Sequence, residues 1–347
     1  MGKQEKDKRS LWKGVAGLCI FVLALPCLWR MGGARLALQE ILPGQVSAAS
    51  LSFASTDVPK EIPMPQEKAV MGIEDIDFTN VSKKKSIPTR AEMAEQMQDF
   101  ASLKSNLYVV DSRTAFLPTD IDVNHALERD FSIDTHTKGP QVLIFHTHSC
   151  EEYADSHMSN GIQEGIWGVG ERLKELLEKK GIQVLHDTGR YDLVEGKRRV
   201  LGSYERMEAP IQRILQENPS IQVCIDMHRD GVAEGTKLVT EVNGKPCAQI
   251  MFFNGLCRLN KDGAIEPTEG LSNPYVKDNL EFSLQMQAVS RAMFGNFNRK
   301  IYLNAYRFSL HFMPRSTLIE VGAQTNTKEE ALNAMEPLSE ILAEVLL

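Results

Sequence analysis

Residues 142–153, VLIFHTHSCEEY, constrain the chain more than any other stretch. Four apolar residues, Val142 to Phe145, run straight into His146, Thr147 and His148, and Glu151 follows three positions on. A short apolar run of this kind reads as a strand buried on both faces, the habit of parallel sheets covered by helices. The polar residues behind it read as the rim of a site at the strand's C-terminal end.

The rest of the chain from Lys138 repeats that alternation. Strands are expected at 141–146, 182–186, 221–227 and 317–321, and a strand pair at 237–242 and 248–254 around the Asn243-Gly244 turn signal. Helices are expected at 166–180, 203–217, 275–294 and from Lys328 onward. Gly181 closes the first of these, Pro210 kinks the second or marks its start, and Thr327 with Glu330 forms a capping box for the last. Strands alternating with helices predict an α/β domain, a mainly parallel sheet flanked by helices, over residues 138–347. In such sheets ligands gather beyond the C-terminal ends of the strands.

The N-terminal part has a different texture. Residues 1–10 form a basic tail with Lys3, Lys6, Lys8 and Arg9, and residues 11–30 are almost wholly apolar apart from Lys13 and the closing Arg30. That length suits a transmembrane anchor, and the basic flank places the tail in the cytoplasm and the body outside, as a single-pass membrane protein. A cleaved signal peptide is the rival, with a small-residue site at 46–48. Both readings export the body. Residues 31–137 mix prolines and charges and read as an extracytoplasmic stalk with some local structure, including a helix at 90–103 and a short strand or interaction segment at 107–116. The net charge of -7 gives no reason to expect nucleic acid. Six cysteines without CxxC spacing frame neither a zinc ribbon nor a disulfide scaffold.

Suspicious polar residues fall at three predicted strand ends: His146, His148 and Glu151; Asp226, His228 and Asp230; and Glu320. Two histidines and a carboxylate are a common ligand set for catalytic zinc, and a second carboxylate can act as the base. The HxxE spacing of His148 and Glu151, followed far downstream by His and then Glu, is similar to the zinc carboxypeptidase pattern. His148, Glu151 and His228 are therefore the favoured ligands and Glu320 the base. Residues i and i+2 of a strand face the same way, so His146 stays open as an alternative ligand or a support. Glu164, just before the next helix, is another candidate acid. Arg229 and Arg315 are candidates for holding a substrate carboxylate or lactyl oxygen, and Arg315 is also a candidate structural partner for Glu320. Cys150 is a weak candidate nucleophile, because its neighbour Glu151 would raise its pKa.

Four stretches, LIFHTHSCEEY, GIWGVGERLKELLEKKGIQVLHDT, NPSIQVCIDMHRDG and RSTLIEVGAQTNTKEEA, resemble the stage II sporulation protein P family. The resemblance covers residues 138–347 and the plan of anchor and stalk. It implies a membrane-anchored, zinc-dependent N-acetylmuramoyl-L-alanine amidase with endopeptidase activity on peptidoglycan cross-links. It also implies work beside a lytic transglycosylase and a membrane scaffold protein during engulfment of the forespore. Cys150 departs from the polar residue usual there. The competing class is a catalytically inactive exported binding or scaffold domain of the same fold, and the full set of His148, Glu151, His228 and Glu320 argues against it.

Overall fold

The computed structural model describes residue 97 and residues 99–347. The basic tail, the anchor read at 11–30, the small-residue site at 46–48 and the stalk up to residue 96 lie outside the described residues. Among the described residues no helix is long and apolar enough to cross a membrane.

The main sheet holds β1 (Tyr108–Val110), β2 (Val142–Phe145), β3 (Val184–His186), β4 (Val223–Asp230), β5 (Ile250–Gly255), β6 (Ile301–Asn304) and β7 (Ser316–Ala323). Their spatial order is β1-β6-β5-β7-β4-β2-β3. Every neighbouring pair is parallel except β5 with β7. The expected α/β architecture with a mainly parallel sheet is therefore present. It puts the C-terminal ends of β2, β4 and β7 side by side at one end of the sheet.

Side-chain alternation sorts the core onto two faces. Val142 and Ile144 of β2 pack with Val169, Leu173 and Leu177 of α3 (Ile166–Lys179) in the large cluster. Leu143 and Phe145 turn the other way, onto Met207 and Ile211 of α4 (Ser203–Glu217). The four apolar residues of β2 are at most 1% exposed, which is why that strand reads as a continuous run rather than an alternation. On the α3 side lie also α5 (Val276–Phe294) and α6 (Lys328–Leu346). The expected capping box starts α6: the Glu330 N–H donates to Thr327 Oγ1 at 3.1 Å, and the Thr327 N–H to Glu330 Oε2 at 2.9 Å. Pro210 neither starts nor ends α4, which runs through it.

Two expectations change. The Asn243-Gly244 turn joins 239–242 to 245–248, and the next strand is a separate element, β5, inside the main sheet. The apolar run from Ala248 to Phe253 hides that division, since Gln249 alone interrupts it. The described part of the expected stalk is also more than a stalk. There α1 (Phe100–Leu107) leads into β1, which pairs with β6 at the sheet edge. Leu103, Leu107, Ala126 and Leu127 are buried in the large cluster, the last two on α2 (Val123–Glu128). Arg129 Nη1 donates at 2.7 Å to Glu281, a buried carboxylate of α5, which holds this segment to the body. The packed body thus begins before Lys138.

Candidate active site

The two histidines after β2 part company because the strand stops at Phe145. His146 keeps the parity of Ile144 and turns toward α3. Its Nδ1 donates to the Met227 carbonyl at 2.8 Å, and its Nε2 lies 2.8 Å from His186 Nε2. His186 Nδ1 in turn meets Glu171 Oε2 at 2.8 Å. Gly170 of α3 makes room for this pair, since a Cβ there would lie 2.7 Å from His146 Nε2. Burial, and then the neighbouring His186, pushes the His146 pKa down to about 3.

Past His146 the chain bends, so strand parity no longer holds and His148 swings to the α4 side. Its Nε2 is 3.0 Å from Ser203 Oγ, the first residue of α4. The bend is pinned by Asp192, which accepts from the Ser149 N–H and hydroxyl and from the Cys150 N–H at 2.7–3.1 Å. Glu151 follows, with Oε2 accepting from the Arg229 N–H at 2.8 Å. Gly165 lets the chain pass close here, as a Cβ would lie 2.5 Å from the Glu151 carbonyl oxygen.

His148, Glu151 and His228 converge, with one potential ligand atom from each lying within 4.8 Å of the others. His148 Nδ1 is 3.4 Å from Glu151 Oε1, and His228 Nδ1 is 3.7 Å from Glu151 Oε2. On its far side His228 Nε2 lies 2.8 Å from Asp226 Oδ1. That contact is short but poorly aligned for a hydrogen bond, so it acts as a charge contact. Asp226 is itself held by the Thr147 N–H at 2.9 Å and the Thr147 hydroxyl at 2.7 Å. Both imidazoles are thus anchored through Nε2 and present Nδ1 to the carboxylate.

Glu320 of β7 pairs in register with His228 of β4, so the two side chains stand next to each other on one face. It is fully buried, and neither carboxylate oxygen has a hydrogen-bond partner among the described residues. Burial, with the Asp230 and Glu151 carboxylates adding to it, pushes its pKa well above the usual range. For Glu151 burial also opposes the charge, but His148 and His228 outweigh it and hold the carboxyl well below that range. Burial lowers His228, yet Asp226 and Glu151 leave it raised well above an ordinary histidine.

This donor set fits a metal ion. His148 Nδ1, Glu151 Oε1, His228 Nδ1 and both oxygens of Glu320 are buried without hydrogen-bond partners among the described residues. Each such atom costs about 1–3 kcal/mol when left bare, against a net stability of about 5–15 kcal/mol for a whole domain. A cation among the three ligand atoms would satisfy them, and it would offset the repulsion felt by Glu320. Two imidazoles and a carboxylate suit zinc.

Other expected residues lie elsewhere. Glu164 pairs with Lys328 Nζ at 2.9 Å and is not in the cluster. Arg229 donates its Nε to the Glu152 carbonyl at 2.8 Å, so its side chain braces the backbone rather than facing substrate. Arg315 sits at the start of β7, the opposite end from Glu320, and donates to the carbonyls of Phe131 and Ser132. It therefore neither reaches the cluster nor partners Glu320. The Cys150 thiol is raised by burial first and Asp192 second, which leaves it unactivated. Asp192, Ser203 and His186 were not anticipated. Their only signal is spatial, since none stands in a recognisable spacing to the HTHxxE run.

The family model of stage II sporulation protein P matches residues 40–343. The "Stage II sporulation protein P" of Bacillus subtilis (strain 168) is 19% identical over 311 residues, 85% of this chain and 69% of that protein. Among solved structures, the N-acetylmuramoyl-L-alanine amidase AmiC2 of Nostoc punctiforme is 12% identical, covering 60% of this chain and 97% of that one at a TM-score of 0.34. The CwlD amidase from Clostridioides difficile, in complex with the GerS lipoprotein, is 13% identical, with 59% and 99% covered at a TM-score of 0.34. The chemistry of the site rests on its own side chains, not on overlaps of that size.

Proposed function

The chain belongs to the stage II sporulation protein P family, and on that premise we propose that it is a zinc-dependent peptidoglycan hydrolase of sporulation. Family membership supports a sporulation cell-wall hydrolase. The bond we assign is the amide between N-acetylmuramic acid and the L-alanine of the stem peptide, with peptide cross-links as a second target. The observation that carries this reading is the buried cluster of unpartnered atoms on His148, Glu151, His228 and Glu320.

Zinc held by His148, Glu151 and His228 would supply Lewis acidity and a nucleophile at neutral pH. The protein's own groups do the rest. Asp226 and Ser203 keep the two imidazoles turned so that Nδ1 faces inward. Glu320 takes a proton from the attacking water and passes it to the departing amine nitrogen. A C–O bond forms, the C–N bond breaks, and a carboxyl and an amine remain. His146 supports the site from behind by holding the Met227 carbonyl, one residue from His228.

We place this activity outside the cytoplasmic membrane, behind the anchor read at 11–30, with the lytic transglycosylase and scaffold partners implied by the resemblance. The test is the purified protein on isolated peptidoglycan, with and without chelator. Release of intact stem peptides that stops with chelator and with Glu320→Gln is the expected result. Release that survives Glu320→Gln would sink the mechanism. No release under any condition, partners included, would favour the binding module.

A further inference from the structure

Tyr204 carries a phenolic oxygen that the reaction above leaves unused. It follows Ser203, whose hydroxyl meets the His148 ring, so this end of α4 is fixed against the site. The Tyr204 ring stands edge-on to the His148 ring, with centroids 5.6 Å apart at 74°. It also meets Phe308 edge-on at 5.5 Å, and Phe308 packs in the same way on Phe253 at 4.7 Å. The ring is therefore clamped between a candidate ligand and the aromatic core.

Its hydroxyl, by contrast, is buried and has no hydrogen-bond partner among the described residues. Buried tyrosine hydroxyls ordinarily find one. The ring meets the imidazole of a candidate ligand, so an uncommitted donor lies on the α4 side of the cluster.

We propose that Tyr204 Oη donates a hydrogen bond to the oxygen of the scissile amide as that oxygen gains negative charge. This makes Tyr204 a catalytic residue, and the inference rests on the hydrolase reading above. A fixed donor at the point where charge develops acts on the transition state more than on the bound substrate.

Tyr204→Phe removes the oxygen and leaves the ring clamp. We expect kcat on peptidoglycan fragments to fall about 100-fold, with KM within about twofold of wild type. Zinc content should match wild type. The melting temperature should not fall, because an unpartnered hydroxyl is removed. An unchanged kcat overturns the proposal. So does a raised KM with kcat intact, which would make the hydroxyl a ground-state contact. Loss of zinc or a lowered melting temperature would assign a structural role and overturn it as well. An inactive wild type takes down the hydrolase reading and this inference together; an active wild type with an equally active Tyr204→Phe takes down the inference alone.

Discussion

Two clusters of two histidines and one glutamate flank the end of β2, and they are in opposite conditions. On the α3 side, His146, His186 and Glu171 form a closed chain in which every ring nitrogen has a partner at 2.8 Å. Trp167 stacks on His186 with centroids 4.7 Å apart and seals it. On the α4 side, His148, Glu151 and His228 face one another at 3.4 and 3.7 Å without hydrogen bonds between them. Residue types are the same in both. What separates them is saturation: one set has spent its lone pairs and protons on the fold, and the other has kept one ligand atom per residue uncommitted. A site is marked by that surplus rather than by the residues themselves.

The comparison can be broken or sharpened by experiment. The largest effect is expected at Glu320, which belongs to the unsaturated side. Glu320→Gln should lower kcat by about 10²–10⁴-fold, the range for loss of a general base, while zinc content stays at the wild-type level. Asp226→Asn should come next. It weakens the charge contact that turns His228, and zinc affinity should fall about 10–100-fold in a competition titration with a chelator. Unchanged affinity would mean that His228 needs no such hold.

The saturated side should answer in stability instead of chemistry. Gly170→Ala drives a Cβ to 2.7 Å from His146 Nε2 and 2.9 Å from His186 Nε2, both pinned by their hydrogen bonds. Denaturant unfolding should show a loss of about 1–3 kcal/mol, with zinc content unaltered. Loss of zinc from this variant would mean that the two clusters are one. The smallest effect is expected at Glu164, whose pair with Lys328 is partly exposed. Glu164→Gln should change stability by no more than about 1 kcal/mol and leave zinc content alone.

The α/β class and the three strand ends that carry the site were legible because buried strands and amphipathic helices have strong periods. The turn after β2 was not. Parity along a strand allowed His146 and His148 to share a site, and nothing in HTHSC marks the strand's end at Phe145. The bend depends on Asp192, more than forty positions away, accepting three hydrogen bonds. The two arginines misled for a related reason. An arginine fork suits a carboxylate, but Arg229 and Arg315 spend theirs on backbone carbonyls that become neighbours only in the folded chain. The strand expected within 107–116 is β1, but its place in the main sheet was not legible, because it acquires its meaning from β6, far downstream, and α2 is too short to carry a measurable period.

The division between the two histidines is the central claim, and metal analysis of purified variants tests it most directly. Wild type and His146→Ala should each hold about one zinc per chain, and His148→Ala should hold almost none. Zinc retained in His148→Ala and lost from a folded His146→Ala would contradict the account.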